Sequence, residues 1–156
     1  MLDFILDNKP VLVGLHLGLA ILGIDFAIWV LGELVANVTS NKRIKYAAVG
    51  SLVSFCLSWL IGGYYYVKYY GPLVKPQILE STAPWAHKVA MEAKEHVFLF
   101  LVPIGLTLIT LSLLRMDELK KLNLKQHFMA LTFLTVSLGL LIGLAGYIIS
   151  ASARWA

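Results

Sequence analysis

The sequence predicts an all-α integral membrane protein, a four-helix up-down antiparallel bundle that forms one domain over residues 1–156. Of the 156 residues, 59% are hydrophobic and 14% are charged, and the mean hydropathy is +0.79. A soluble domain of this size is far less apolar. The apolar runs are long enough to cross a bilayer and are separated by short polar connections. The predicted transmembrane spans cover about residues 10–38, 46–70, 84–114 and 128–153.

The composition also narrows the classes of function. The single cysteine, Cys56, lies in an apolar run, so neither a disulfide framework nor a CxxC motif is expected. The net charge of +4 is spread over connections and helix ends, which favours contact with the lipid bilayer and argues against nucleic acid. No nucleophile arrangement or glycine-rich phosphate loop is visible, so any catalysis would be redox chemistry. The first residues lack the features of a cleaved signal peptide.

Span one begins at Asn8, a good helix cap, with Pro10 in the first turn. His16 and Asp25 interrupt its apolar sequence and, nine residues apart, lie on roughly opposite sides of the helix. Asp25 shares its side with small residues that permit close helix packing. These small residues are Gly14, Gly18 and Gly32. We therefore expect Asp25 to be buried against another helix, where it is neutral or paired.

His16 has small neighbours of its own along span one. They are Ala20, Gly23 and Ala27. A groove of small side chains beside an imidazole leaves room for a flat cofactor, although such grooves also serve helix packing.

Span two ends in a run that contains five tyrosines between residues 64 and 70, which is typical of an aromatic belt at the membrane surface. The following segment, residues 71–84, contains three prolines and is predicted to be the one substantial loop. Pro84 can open span three. Inside that span, Pro103 removes a backbone hydrogen bond and predicts a kink.

The start of span three carries the densest group of ionisable side chains. Glu92 and His96 lie on one helical face at i and i+4, and Glu95 is next to His96. Ionisable groups at membrane depth are costly unless they are paired or bind a ligand, so this group marks a candidate site. The alternative is that these residues only mark the headgroup level, where charge is inexpensive.

The two short connections carry the denser positive charge. They contain Lys42, Arg43, Lys45, Arg115, Lys120, Lys121 and Lys125. By the positive-inside rule, both termini and the proline-rich loop are expected on the outer face of a bacterial cytoplasmic membrane.

In an antiparallel bundle, spans one and three lie diagonally, and each carries a histidine near the outer side. Our first hypothesis is that His16 and His96 bind a b-type haem, with lysines near its propionates. The candidate lysines are Lys9, Lys88 and Lys94. Electrons would then come from the membrane pool, for example quinone, or from a redox partner protein.

Two alternative hypotheses assign different roles to the same residues. A metal site for iron, copper or zinc would combine imidazole and carboxylate ligands. Its ligands would come from His16, His87, Glu92, Glu95 and His96. In the third hypothesis the chain is a structural subunit of a larger complex or homo-oligomer, whose polar groups pair internally or with a partner.

One sequence pattern resembles a known group of proteins. Leu15-His16-x-Gly18, followed by the small-residue groove and Asp25, and a second span that ends in Gly62-Gly63, resembles uncharacterised bacterial four-helix membrane proteins. These are distantly similar to copper-resistance D and to haem-binding membrane bundles. The resemblance covers spans one and two best, and it implies a metal or haem role for His16.

Overall fold

A computed structural model describes residues 4, 6–38 and 41–155, and within these residues it contains helices and no strands. Four helices are long and apolar enough to cross a membrane, which confirms the predicted all-α membrane class. They are α1 (Lys9–Val35), α2 (Asn41–Glu80), α3 (Ala86–Ser112) and α5 (Lys125–Arg154). A short helix, α4 (Met116–Lys121), lies between α3 and α5.

The start of α1 follows the prediction. Asn8 Oδ1 accepts a hydrogen bond from the backbone N–H of Val11 at 3.2 Å, and Pro10 lies in the first turn. A proline is tolerated there because the first N–H groups of a helix have no intrahelical partner. Beyond Val35, Asn37 adopts a left-handed backbone with φ of 53°, a conformation that asparagine accepts more readily than most residues.

The segment predicted as a proline-rich loop is mostly helical. α2 continues through a π-helical stretch, Tyr66–Val74, and one further α-helical segment, Lys75–Glu80. The wider turn accommodates Pro72, and the N–H of Lys75 bonds to the carbonyl of Tyr70 five residues earlier. Apolar side chains within the segment, including Ile78, pack into a buried cluster and stabilise its helical form. Residues 81–85 form the remaining connection to α3.

α3 begins with a second π-helical stretch, Ala86–Met91, and then continues unbroken through Pro103 to Ser112. Thr107 donates a hydrogen bond to the carbonyl of Pro103 at 2.8 Å, and Thr110 does the same to the carbonyl of Leu106 at 2.9 Å. Both hydroxyls are therefore satisfied within the helix.

The helices pack through three apolar clusters spaced along the bundle. The extensive contacts join α1 to α2 and α5, and α3 to the same two helices. α1 and α3 therefore lie across the bundle from each other. Glycines allow the close approaches: a Cβ on Gly23 would lie 2.8 Å from the ring of Phe55, and one on Gly139 would lie 2.9 Å from Ile24.

Candidate functional site

A group of polar contacts between helices joins His16 of α1 to Ser58 of α2. His16 Nδ1 lies 2.8 Å from the carbonyl oxygen of Ser58 and 3.0 Å from its hydroxyl. The hydroxyl donates a further hydrogen bond to the carbonyl of His16 at 2.8 Å. Because a carbonyl can only accept, Nδ1 carries the proton, and in the neutral ring Nε2 keeps a free lone pair. This is how ligand-binding imidazoles are commonly oriented.

The contacts of two other histidines differ from that of His16, because they stay within one helix. The Nδ1 of His96 lies 2.7 Å from the carbonyl of Glu92, and that of His127 lies 3.1 Å from the carbonyl of Asn123. Both partners are four residues earlier in the same helix, so these are local contacts on exposed side chains. The partner of His16 belongs to a different helix, and the ring is therefore fixed by tertiary structure.

Lys94 of α3 is a cationic group close to this imidazole. Its side chain is only partly exposed, and its charge is close enough to act on His16 electrostatically. Lys94 Nζ lies 3.6 Å from the position that a Cβ would take on Gly146 of α5. On the other side, a Cβ on Gly62 would lie 2.6 Å from His16 Nδ1. We call His16, Ser58, Gly62 and Lys94 the His16 site.

The predicted partners of His16 on α3 are not turned toward it. His96, Glu92 and Glu95 are all exposed, whereas Lys94, between them in sequence, faces the interior. Within the described part of the chain, no group of three or more His, Cys, Asp or Glu side chains converges as a metal site would require. On this part of α3, Lys94 and not His96 is therefore the ionisable residue that faces the interior.

The small-residue groove beside His16 serves helix packing. Gly23 and Ala27 are buried, and Phe55 of α2 fills the space over Gly23. A flat cofactor therefore has no room along this part of α1.

The prediction that Asp25 is buried was wrong. Asp25 is exposed on the side of α1 that faces away from the other helices. The glycines on the same side, Gly14, Gly18 and Gly32, have no neighbouring atom within 4 Å of a built Cβ. α1 packs through its opposite side because that side presents the more closely interlocking residues, such as Ala27 and Val30.

His87 takes part in a separate buried contact. Its Nδ1 lies 3.1 Å from the hydroxyl of Tyr70, and both side chains are 4% exposed. The two residues belong to the two π-helical stretches on either side of the connection 81–85. Tyr70 also stacks on Tyr66 with ring centroids 5.2 Å apart. The tyrosine run is thus partly interior, and His87 is joined to it and not to His16.

Lys94 was one of three lysines expected near the haem propionates, but its interior direction was not predicted, and Glu33 was missed from the sequence. The interior direction of Lys94 could have been found from its spacing, because Lys94 shares a helical face with buried Phe98 and Leu101. Glu33 is 5% exposed near the end of α1, and its neighbours Trp29 and Arg43 both bind its Oε1. An acidic residue four positions after a tryptophan in an apolar helix was the available signal.

Comparison of the chain with protein-family models, with curated proteins and with solved structures gave no match.

Proposed function

We propose that this chain is an integral membrane redox protein that binds a b-type haem, with His16 as an axial ligand. The observation that supports this most is the contact of His16 Nδ1 with Ser58 on a neighbouring helix, because it orients the ring and leaves Nε2 free. Haem iron would supply one-electron transfer, and its axial ligand tunes the reduction potential. The proposal rests on His16 alone, since His96 is exposed.

Lys94 fits this assignment as a partner for a propionate. A lysine in the interior of a membrane bundle is costly unless a counter-charge is bound near it. A haem propionate on the Lys94 side of His16 would provide that charge. Because Phe55 occupies the groove over Gly23, the porphyrin would lie toward the end of the bundle that contains Gly62 and Gly146.

Lys94 also favours a second candidate, a quinone site. Its ammonium can donate a hydrogen bond to a quinone carbonyl, and the free Nε2 of His16 can accept one from a quinol hydroxyl. A quinone needs no iron ligand and less space than a porphyrin. The metal hypothesis has no comparable support, because the carboxylates that would complete it are exposed.

We further propose that the four spans run up and down through a bacterial cytoplasmic membrane with both termini outside. Contacts between α1 and α2 support an antiparallel arrangement of these two helices, because residue numbers rise along one helix as they fall along the other. The contacts are His16 with Ser58, Gly23 with Phe55 and Phe26 with Gly50. The cationic connections 36–45 and 113–125 would lie inside, following the positive-inside rule.

The test of the haem proposal is the absorbance spectrum of purified protein, with and without reductant, combined with extraction of haem and quinone. Wild type and the control His127→Gly, which changes an exposed histidine, should show a haem spectrum. His16→Gly should lose it. A colourless wild type that retains quinone only when His16 and Lys94 are intact would instead support the second candidate.

A further inference from the structure

Glu33 is the most unusual buried charge among the described residues. Its Oε1 accepts a hydrogen bond from Trp29 Nε1 at 2.8 Å and pairs with Arg43 Nη2 at 2.5 Å. Its Oε2 is buried and has no hydrogen-bond partner among the residues that the structure describes. A buried carboxylate oxygen without a hydrogen-bond donor costs free energy. The position can therefore accept a hydrogen bond from a donor on another molecule.

An open pocket of about 340 Å³ lies beside this carboxylate. Six residues line it: Trp29, Gly32, Glu33, Ala36, Val38 and Arg43. Its walls thus contain an indole, a carboxylate and a guanidinium. The indole and the carboxylate can contact a cationic group, and the guanidinium can contact an anionic group of the same ligand. The volume is within the usual range for small-molecule sites, about 300–1,000 Å³.

The electrostatics of the pocket favour a cation next to Glu33. Glu33 lies in the last turns of α1, where the helix dipole is negative, and no basic residue occupies the last turn of this helix. Arg43 contacts only Oε1, and the Arg43 side chain stays 58% exposed, with further N–H groups for an anion. The half-exposed indole of Trp29 offers a cation–π contact.

We propose that this pocket binds a phospholipid headgroup with a primary ammonium, as in phosphatidylethanolamine. The ammonium donates to Glu33 Oε2 and lies against Trp29, while the phosphate binds Arg43. The lipid source follows from the position of the pocket at the end of a membrane span, where headgroups are present at high local concentration. A choline headgroup has no N–H to donate, and a glycerol headgroup has no cation.

The chain offers two ways to disable the pocket. Glu33→Gln removes the negative charge and keeps the shape of the side chain. Gly32→Leu leaves Glu33 intact and fills the pocket, and it should fold because no atom lies within 4 Å of a Cβ built on Gly32. Asp117→Asn is the control: it removes an exposed carboxylate from α4, which packs at the same end of the bundle.

The experiment is native mass spectrometry of the detergent-purified protein with phosphatidylethanolamine, phosphatidylcholine and phosphatidylglycerol of identical acyl chains. Wild type and Asp117→Asn should prefer phosphatidylethanolamine. Glu33→Gln should weaken its binding about tenfold or more, the effect of losing a charge-assisted hydrogen bond. Gly32→Leu should also weaken its binding, because the leucine side chain fills the pocket. Equal binding of the three lipids by wild type, or equal phosphatidylethanolamine binding by Glu33→Gln, would overturn the proposal.

A competition experiment identifies the source of the ammonium group. Free phosphoethanolamine should displace the lipid only at concentrations far above that of the lipid, because it lacks the acyl chains. Displacement at equal concentration would assign the pocket to a soluble amine and overturn the lipid proposal. No residue of the His16 site takes part, so either outcome is independent of the redox proposal.

Discussion

At the scale of single residues, the position of the His16 ring depends on how closely Gly62 approaches it. A Cβ on Gly62 would lie 2.6 Å from Nδ1 and 2.7 Å from Cε1 of His16, which is closer than non-bonded atoms approach each other. Any side chain at this position must displace the imidazole from Ser58. Gly63, the next residue, has no atom within 4 Å of a built Cβ.

Gly62→Ala should therefore lower the amount of haem retained by the purified protein, because the ring loses the contact that orients it. Gly63→Ala is the matched control and should retain haem like wild type. The haem-to-protein absorbance ratio of the three proteins measures the effect. Equal ratios for Gly62→Ala and wild type would show that the ligand does not depend on this geometry.

Sequence reasoning singled out His16, which contacts Ser58 of a neighbouring helix, but it misjudged which residues of α3 face the interior. Periodicity gives the relative angle between side chains on one helix, and it does not give the rotation of that helix against its neighbours. For α3 this rotation is set by packing of Phe98 and Leu101 toward the core, which brings Lys94 inward and leaves His96 exposed. Asp25 was misplaced for the same reason.

At the scale of elements, the two π-helical stretches form one unit around the connection 81–85. Tyr70 and His87 join them through a buried hydrogen bond of 3.1 Å, and Ile78, Ala86 and Met91 pack around it. The prolines in this segment predicted a loop, because proline removes a donor from a regular helix. Apolar burial and the wider π turn outweigh that local preference, and neither can be read from proline spacing.

Tyr70→Phe should destabilise the protein by about 1 kcal/mol, since it leaves the buried His87 without its partner. Tyr147→Phe is the control, because Tyr147 is 72% exposed. Thermal unfolding in detergent should give a lower midpoint for Tyr70→Phe alone. An unchanged midpoint in that variant would mean that the two π-helical stretches are held together by apolar packing only.

At the scale of the whole molecule, the four long apolar helices were predictable because composition and run length determine them directly. The order in which the helices pack could not be predicted from the sequence, because it depends on contacts between a glycine on one helix and a large side chain on another, such as Gly105 with Leu52.

The proposed orientation makes one simple prediction. In a Cys56→Ser background, single cysteines at the exposed positions Lys42 and Gln77 should react with an impermeant thiol reagent from opposite sides of the membrane.

In intact cells, the cysteine at position 77 should be labelled, and the cysteine at position 42 should be protected until the membrane is permeabilised. Labelling of both from one side would contradict the up-down arrangement. Labelling of position 42 alone would reverse the proposed orientation and leave the arrangement intact.

The proposed binding of haem iron by His16 can be tested by adding imidazole to His16→Gly. Removal of the ring leaves a space next to Ser58 in which free imidazole can take the position of the lost ligand. Haem supplied with imidazole should restore the wild-type absorbance spectrum to this variant, and haem without imidazole should not. A wild-type spectrum in His16→Gly without imidazole would contradict the claim.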